Sequence, residues 1–267
     1  MTRTTYVIAT GRKGRDRLRV LTAILGPSTA RLLDDIGVAP GMACLDAGCG
    51  GGDVSREFAR RVGPSGRVLG IDRDAVGLAI AAAEAAEQNL ANVTYQELDV
   101  SDLREAASFD VVYARFLLSH LPDPCGALVR LIAAVRPGGV IALEDVHFSG
   151  HFCYPECPAF SDYVRLYSEV VRAKGADPDI GLRLPLLLKD AGLRDVAMTV
   201  VQPAGTEGDV KLINAITMET IAETVVAAGI AAPEEVDRAV ADLYAAARDD
   251  RVILSMSRIV QSWGRKG

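Results

Sequence analysis

Long apolar runs are missing from this sequence, and that sets its first boundary. No stretch approaches the ~20 consecutive apolar residues that cross a bilayer, and the richest ones are broken by charge, as residues 76–84 are by Glu84. The first residues lack a basic segment followed by an apolar one, so no secretory leader is read there. A basic surplus is missing as well: 29 Lys and Arg stand against 35 Asp and Glu, a formal net charge of -6. Only 11–19 and 264–267 lean basic, and both read as solvated ends, so no nucleic-acid partner is expected. Cysteine is sparse and odd in number (Cys44, Cys49, Cys125, Cys153, Cys157). That gives no even disulfide framework and points to reduced thiols in the cytoplasm. Histidine occurs three times and aromatics make up only 5% of the chain, so any local concentration of either is informative.

What is present is a globular balance, 49% hydrophobic and 24% charged over 267 residues, enough for one large α/β domain and short for two. Helical spacing covers 12–25 and 28–36, with Gly26-Pro27 punctuating them. Strand-like and helical stretches then alternate. Strands are expected at 42–47, 67–71, 93–98, 109–114 and 140–143, the last after a Pro137-Gly138-Gly139 turn. Helices are expected at 54–62, 74–88 and 125–135. Strands alternating with helices predict a parallel sheet covered on both faces, with right-handed crossovers. Beyond Asp145 the rhythm changes. Residues 147–158 read as a loop, 159–172 and 180–190 as helices, 196–201 as a strand, 209–228 and 233–248 as helices, and 251–263 as a final strand.

The sharpest feature is Leu45-Asp46-Ala47-Gly48-Cys49-Gly50-Gly51-Gly52-Asp53, which closes a strand and opens a helix. Glycines there allow left-handed backbone and close approach of a ligand, and the helix start offers free N–H groups. Asp72 ends the second strand, 22 residues after Gly50, where a carboxylate can accept both hydroxyls of a ribose. Asp99 ends the third, where it can accept from an adenine amine with Val100 against the ring. A dinucleotide fingerprint asks for a third glycine where this chain has Asp53. An acid there would repel a pyrophosphate, whereas Asp46 could meet an amino-acid ammonium.

On these residues the chain resembles the class I S-adenosylmethionine-dependent methyltransferases. Asp46-Ala47-Gly48-Cys49-Gly50 matches the family's first motif, Gly70-Ile71-Asp72 its second acidic strand end, and Glu97-Leu98-Asp99-Val100 its adenine-contacting segment. Phe109-Asp110-Val111-Val112 with His120-Leu121-Pro122-Asp123-Pro124 matches its fourth strand and loop, and Arg136-Pro137-Gly138-Gly139 its next turn. Within the class the chain is similar to quinone-biosynthesis and natural-product enzymes. The resemblance implies a three-layer, Rossmann-like sheet of seven mostly parallel strands whose last strand is antiparallel, with 251–263 pairing beside 196–201. It implies a single domain over 1–267: a helical lid at 1–37, a cofactor core at 42–145, and lid or acceptor-pocket insertions at 146–192 and 204–249. It implies S-adenosylmethionine as methyl donor and S-adenosylhomocysteine as product. The cofactor contacts are then Tyr6, Asp46, Gly48, Cys49 (a small filler), Gly50, Asp72, Arg73, Asp99, Val100, Arg115 and His120.

Methyl transfer needs positioning above all, and a base where the acceptor is a hydroxyl or acidic carbon. The candidate bases are His147, His151 and His120. Glu144, Asp145, Phe148, Tyr154 and Tyr163 are candidates for the acceptor pocket, with Glu144 and Asp145 equally suited to holding a lid. Phe148, Phe152, Tyr154, Phe160, Tyr163 and Tyr167 crowd one segment, either as ordinary helix packing or as an apolar pocket for a ring-like or lipid-like acceptor. His147, His151, Cys153 and Cys157 lack the tighter spacing of zinc sites, so no metal is expected. A small molecule is the expected partner, with oxygen the favoured atom and a homodimer left open. The alternatives are methylation at carbon or nitrogen, an NAD(P)-dependent oxidoreductase, and an S-adenosylmethionine-binding module without catalysis. No Tyr-x-x-x-Lys pair supports the oxidoreductase. Ala114-Arg115-Phe116-Leu117 does not match the motif of nucleic-acid amino-methylating enzymes.

Overall fold

A computed structural model describes residues 11–267, with side chains from Gly14 onward. In chain order the strands are β1 (Ala43–Ala47), β2 (Arg67–Asp72), β3 (Val93–Glu97), β4 (Phe109–Arg115), β5 (Val135–His147), β6 (Cys153–Tyr154), β7 (Arg194–Val201), β8 (Ala204–Gly205), β9 (Ile253–Ser255) and β10 (Arg258–Arg265). Seven of them form one sheet in the order β3-β2-β1-β4-β5-β10-β7. β1 to β5 pair in parallel, and β10 runs antiparallel to both β5 and β7. This is the expected α/β arrangement. Cys44, Leu45 and Ala47 of β1 are fully buried, as a parallel strand covered on both faces must be.

The helices are α1 (Gly11–Asp35), α2 (Asp53–Val62), α3 (Ala75–Glu87), α4 (Pro124–Ala134), α5 (Pro158–Ala173), α6 (Leu184–Asp190), α7 (Asp209–Ala227) and α8 (Pro233–Arg248). Several begin by chemistry visible in the sequence. Asp123 accepts from Gly126 N at 2.9 Å while Pro124 fills the first helical position of α4, where its missing N–H costs nothing. Phe58, Val62 and the second half of α1 pack on one face of the sheet. Leu128, Leu131, Leu184 and Leu188 of α4 and α6 pack on the other. A third core lies off the sheet. There Phe160, Tyr163, Leu166, Tyr167, Val170 and Val171, at helical spacing on α5, meet α7, α8 and the first half of α1. Among the described residues no helix is long and apolar enough to cross a membrane.

Four expectations change. Gly26-Pro27 does not separate two helices, because α1 runs through Pro27. A proline there gives up one backbone hydrogen bond and costs about 3 kcal/mol, and burial of Leu21, Leu25, Leu32 and Leu33 along one stripe opposes that cost. The Ser28 hydroxyl also donates to Leu25 O at 2.9 Å. Residues 136–139 are not a turn before a strand but a bulge within β5, where the pairing with β4 slips between Phe109 and Val111. The loop at 147–158 contains β6, and 251–263 divides into β9 and β10. β9 leaves the main sheet to sit between β6 and β8, while β10 alone continues it.

Candidate active site

The carboxyl ends of β1, β2, β3 and β4 open into one cleft roofed by α1, α5 and α7. Its floor is the glycine loop. Gly48, Gly50 and Gly52 all have positive φ (69°, 52° and 71°), and a Cβ on Gly51 would lie 2.8 Å from Arg15 Nη1. A side chain at Gly51 would thus push the Arg15 side chain aside. Asp72 already organises this loop: Oδ2 accepts from Gly50 N and Oδ1 from Asp74 N, both at 2.9 Å. Each oxygen keeps a lone pair for a further donor. Asp99 caps a short turn by accepting from Ser101 N at 2.8 Å through Oδ1, and it lines the cleft beside buried Val100.

Asp46 is 2% exposed and accepts from Ser55 Oγ at 2.6 Å. Burial pushes its carboxyl up to about 6; the Ser55 hydroxyl and the charge of Arg115 pull against that rise, and nearby Asp72 adds to it. Arg115 lines the cleft and donates to Thr29 Oγ1 of α1 at 3.2 Å. Gly48, Cys49, Gly50, exposed Arg73 and His120 line it too. The one remaining cofactor candidate, Tyr6, lies outside the described residues.

Asp53 corrects the charge argument made from the sequence. Arg15 grips it at 2.6 and 2.9 Å, Arg56 at 2.6 Å, and Arg15 also holds Glu84 at 2.5 Å. Asp53 is therefore compensated and repels little; it anchors α1 across the glycine loop. Burial works against the Arg15 charge, but Glu84 and Asp53 more than offset it and hold its pKa above the usual arginine value.

The candidate bases separate. His147 is not in the cleft lining; its ring meets Ser149 Oγ at 2.9 Å and Arg258 Nη1 at 3.4 Å. His151 lines the cleft, with Nδ1 2.6 Å from Phe148 O. The carbonyl only accepts, so Nδ1 carries the hydrogen and Nε2 keeps its lone pair. Burial among Phe148, Phe160 and Tyr163 pushes His151 down to about 4, against smaller opposing effects of Phe148 O and the Asn214 side chain. His120, also in the lining, is pushed down to about 3 by burial and by the cations Arg17, Arg73 and Lys174.

The acceptor candidates separate too. Phe148 and Tyr163 line the cleft with Tyr167, which stacks on Phe148 at 3.8 Å. Tyr154 is 71% exposed and outside the lining. Glu144 is fully buried. Its Oε1 accepts from Thr29 Oγ1 at 2.9 Å and from Tyr113 Oη, and its Oε2 from Gln261 Nε2 at 2.7 Å. Asp145 accepts from Ser119 N at 3.1 Å and from Val146 N at 2.9 Å, so it fixes the 118–120 turn. Both carboxylates are buried and neither is in the cleft lining. Among the described residues no group of three or more His, Cys, Asp and Glu side chains could hold a metal ion.

Sequence reasoning missed Arg15, Arg17, Asn214 and Thr217, all in the lining. It also missed Phe116, a lining residue held in the left-handed region (φ 53°) with its N–H on Glu144 O at 2.8 Å. Such a conformation costs about 1–3 kcal/mol for a bulky residue and tends to cluster at functional sites.

A family model described as a methyltransferase domain matches residues 39–174, just over half of the chain. The chain belongs to that methyltransferase-domain family. Among curated proteins it is 42% identical over 118 residues to a nocamycin O-methyltransferase of Saccharothrix syringae, covering 44% of this chain and 42% of that one. It is 34% identical over 109 residues to a ubiquinone biosynthesis O-methyltransferase of Acinetobacter baumannii, covering 40% and 45%. The match thus spans less than half the length of these relatives. Among solved structures it superposes on a Haemonchus contortus phosphoethanolamine N-methyltransferase 2 bound to phosphomonomethylethanolamine and S-adenosylhomocysteine. That match has a TM-score of 0.55 at 19% identity and covers 94% of this chain and 52% of that one; it shows the shared fold.

Proposed function

We propose that this protein transfers a methyl group from S-adenosylmethionine to an oxygen of a small, largely apolar molecule, releasing S-adenosylhomocysteine. The observation that carries the reading is the division of one cleft into a polar half and an aromatic half. In the polar half, Asp46, Asp72 and Asp99 end three adjacent strands. They would take the ammonium, the ribose hydroxyls and the adenine amine in turn, with the glycine loop below and Val100 against the ring. A ligand with those donors and no phosphate fits this set of acceptors. α1 and the segments 146–192 and 204–249 form the lid of one folded unit. Its five cysteines are free, which suits a reducing compartment such as the cytoplasm. The O-methyltransferase relatives favour oxygen as the methylated atom.

The cofactor supplies a methyl on a positively charged sulfur. The chain's part is to hold the acceptor oxygen in line with it and to receive a proton. Phe148, Tyr163 and Tyr167 supply an apolar wall that excludes water and orients a ring. His151 Nε2 takes the hydroxyl proton while Nδ1 stays bonded to Phe148 O, so the ring need not turn.

Calorimetric titration with S-adenosylhomocysteine, with NADH and NADPH alongside, tests the cofactor. Tight one-to-one binding of the first alone is the expected result, and binding of a nicotinamide cofactor instead would end the methyl-transfer reading. For the base, His151→Gln should lower kcat about 10²-fold with S-adenosylhomocysteine affinity unchanged. Full activity in that variant would remove His151 from the mechanism.

A further inference from the structure

α1 carries two arginines that face opposite halves of the cleft. Arg15 is fully engaged by Asp53 and Glu84 on the glycine-loop side. Arg17, two residues on, turns toward α5 and α7. Its Nε donates to Thr217 Oγ1 at 3.1 Å, and Thr217 Oγ1 donates in turn to Ile213 O at 2.6 Å. Tyr163 lies close to both Arg17 and Thr217. Among the described residues Arg17 forms no ion pair, and its two terminal nitrogens make no hydrogen bond. Arg17 is half-buried in the cleft lining, where an anionic ligand would give its terminal nitrogens partners partly shielded from water. Its planar fork suits a carboxylate or an ionised enol, bound through two parallel hydrogen bonds.

Positive charge also gathers around His120, on which Arg17, Arg73 and Lys174 act together.

We propose that Arg17, fixed by Thr217 and flanked by Tyr163, is the anion-recognising residue of the acceptor pocket, and that the acceptor is a ring-bearing organic acid. This rests on the methyl-transfer reading for the acceptor's fate, but the anion site itself is testable by binding alone. The probes are aromatic hydroxy acids, each paired with its neutral methyl ester, titrated into the protein saturated with S-adenosylhomocysteine.

The expected result is that at least one acid binds tenfold or more tightly than its ester. The preference should fall to near unity in Arg17→Gln and return in part in Arg17→Lys, with S-adenosylhomocysteine affinity the same in all three proteins. Loss of S-adenosylhomocysteine affinity in Arg17→Gln would place the residue on the cofactor's carboxylate and overturn the proposal. So would a panel in which no acid is preferred over its ester. Acid preference without methyl transfer to any member would leave the anion site standing and count against the methyl-transfer reading.

Discussion

A buried carboxyl at the bottom of a cleft decides how this site responds to pH. Asp46 loses its proton only near pH 6, because burial and the neighbouring Asp72 charge oppose ionisation more than Ser55 and Arg115 favour it. A ligand ammonium needs the ionised form. S-adenosylhomocysteine affinity should therefore be flat from pH 7 to 8 and weaken progressively as pH falls through 6. Asp46→Asn should bind about tenfold more weakly at pH 7.5, a loss of about 1.4 kcal/mol, and show no such fall on acidification. Titration calorimetry at four pH values checks both; an Asn variant that keeps the pH dependence would move the titrating group elsewhere. At this scale the acids at strand ends were legible, because a carboxylate closing an apolar strand is visible in the sequence. Glu144 was not, since its meaning depends on Gln261, which the antiparallel register sets directly opposite it. Arg17 and Thr217 were equally hidden: nothing local ties two residues 200 positions apart.

Among the elements, α1 matters most to the site. Its second half is core, with Leu32 and Leu33 fully buried against the sheet, while its first half is held down by Arg15 over the glycine loop. Arg15→Met keeps much of the side-chain volume and removes the tie. Its cost should stay below the ~3–5 kcal/mol of a stranded buried charge, because Arg56 remains 2.6 Å from Asp53 and 2.9 Å from Glu84. Hydrogen exchange should accelerate in residues 14–22 of the variant and stay unchanged in 30–35. Uniform acceleration along α1 would mean that the helix docks as one unit and that Arg15 is not its local clasp. The alternation of strands and helices was readable because each parallel strand is a short apolar run. The passage of α1 through Pro27 was not, because the tertiary burial that outweighs a proline leaves no local mark. The division of 251–263 between two sheets escaped for the same reason.

For the molecule as a whole, opposing groups shape acid stability. His120 and His151 are pushed down to about 3 and 4 by burial, so the unfolded chain takes up their protons first and stability falls as pH drops below about 6.5. Asp46 and Asp145 are raised by burial to about 6 from an ordinary 3.8. There the folded chain takes up the proton first, and stability is gained as pH drops from 6 toward 4. The double change His120→Phe with His151→Phe leaves the raised aspartates dominant between pH 7 and 5, where the lowered Glu84 still keeps most of its charge, so its Tm should be higher at pH 5 than at pH 7. A variant that still melts lower at pH 5 would show that these aspartates do not govern the response. The placement of β10 has a consequence of another kind. Arg258–Arg265 lies between β5 and β7, and Lys266 Nζ closes onto the carbonyls of Ile132, Ala133 and Val135. During synthesis, at about 5–20 residues per second, β7 is made on the order of several seconds before the strand that joins it to the sheet. Through that interval the nascent chain carries two open strand edges, and a trigger for chaperone capture or misassembly is built into the order of its translation.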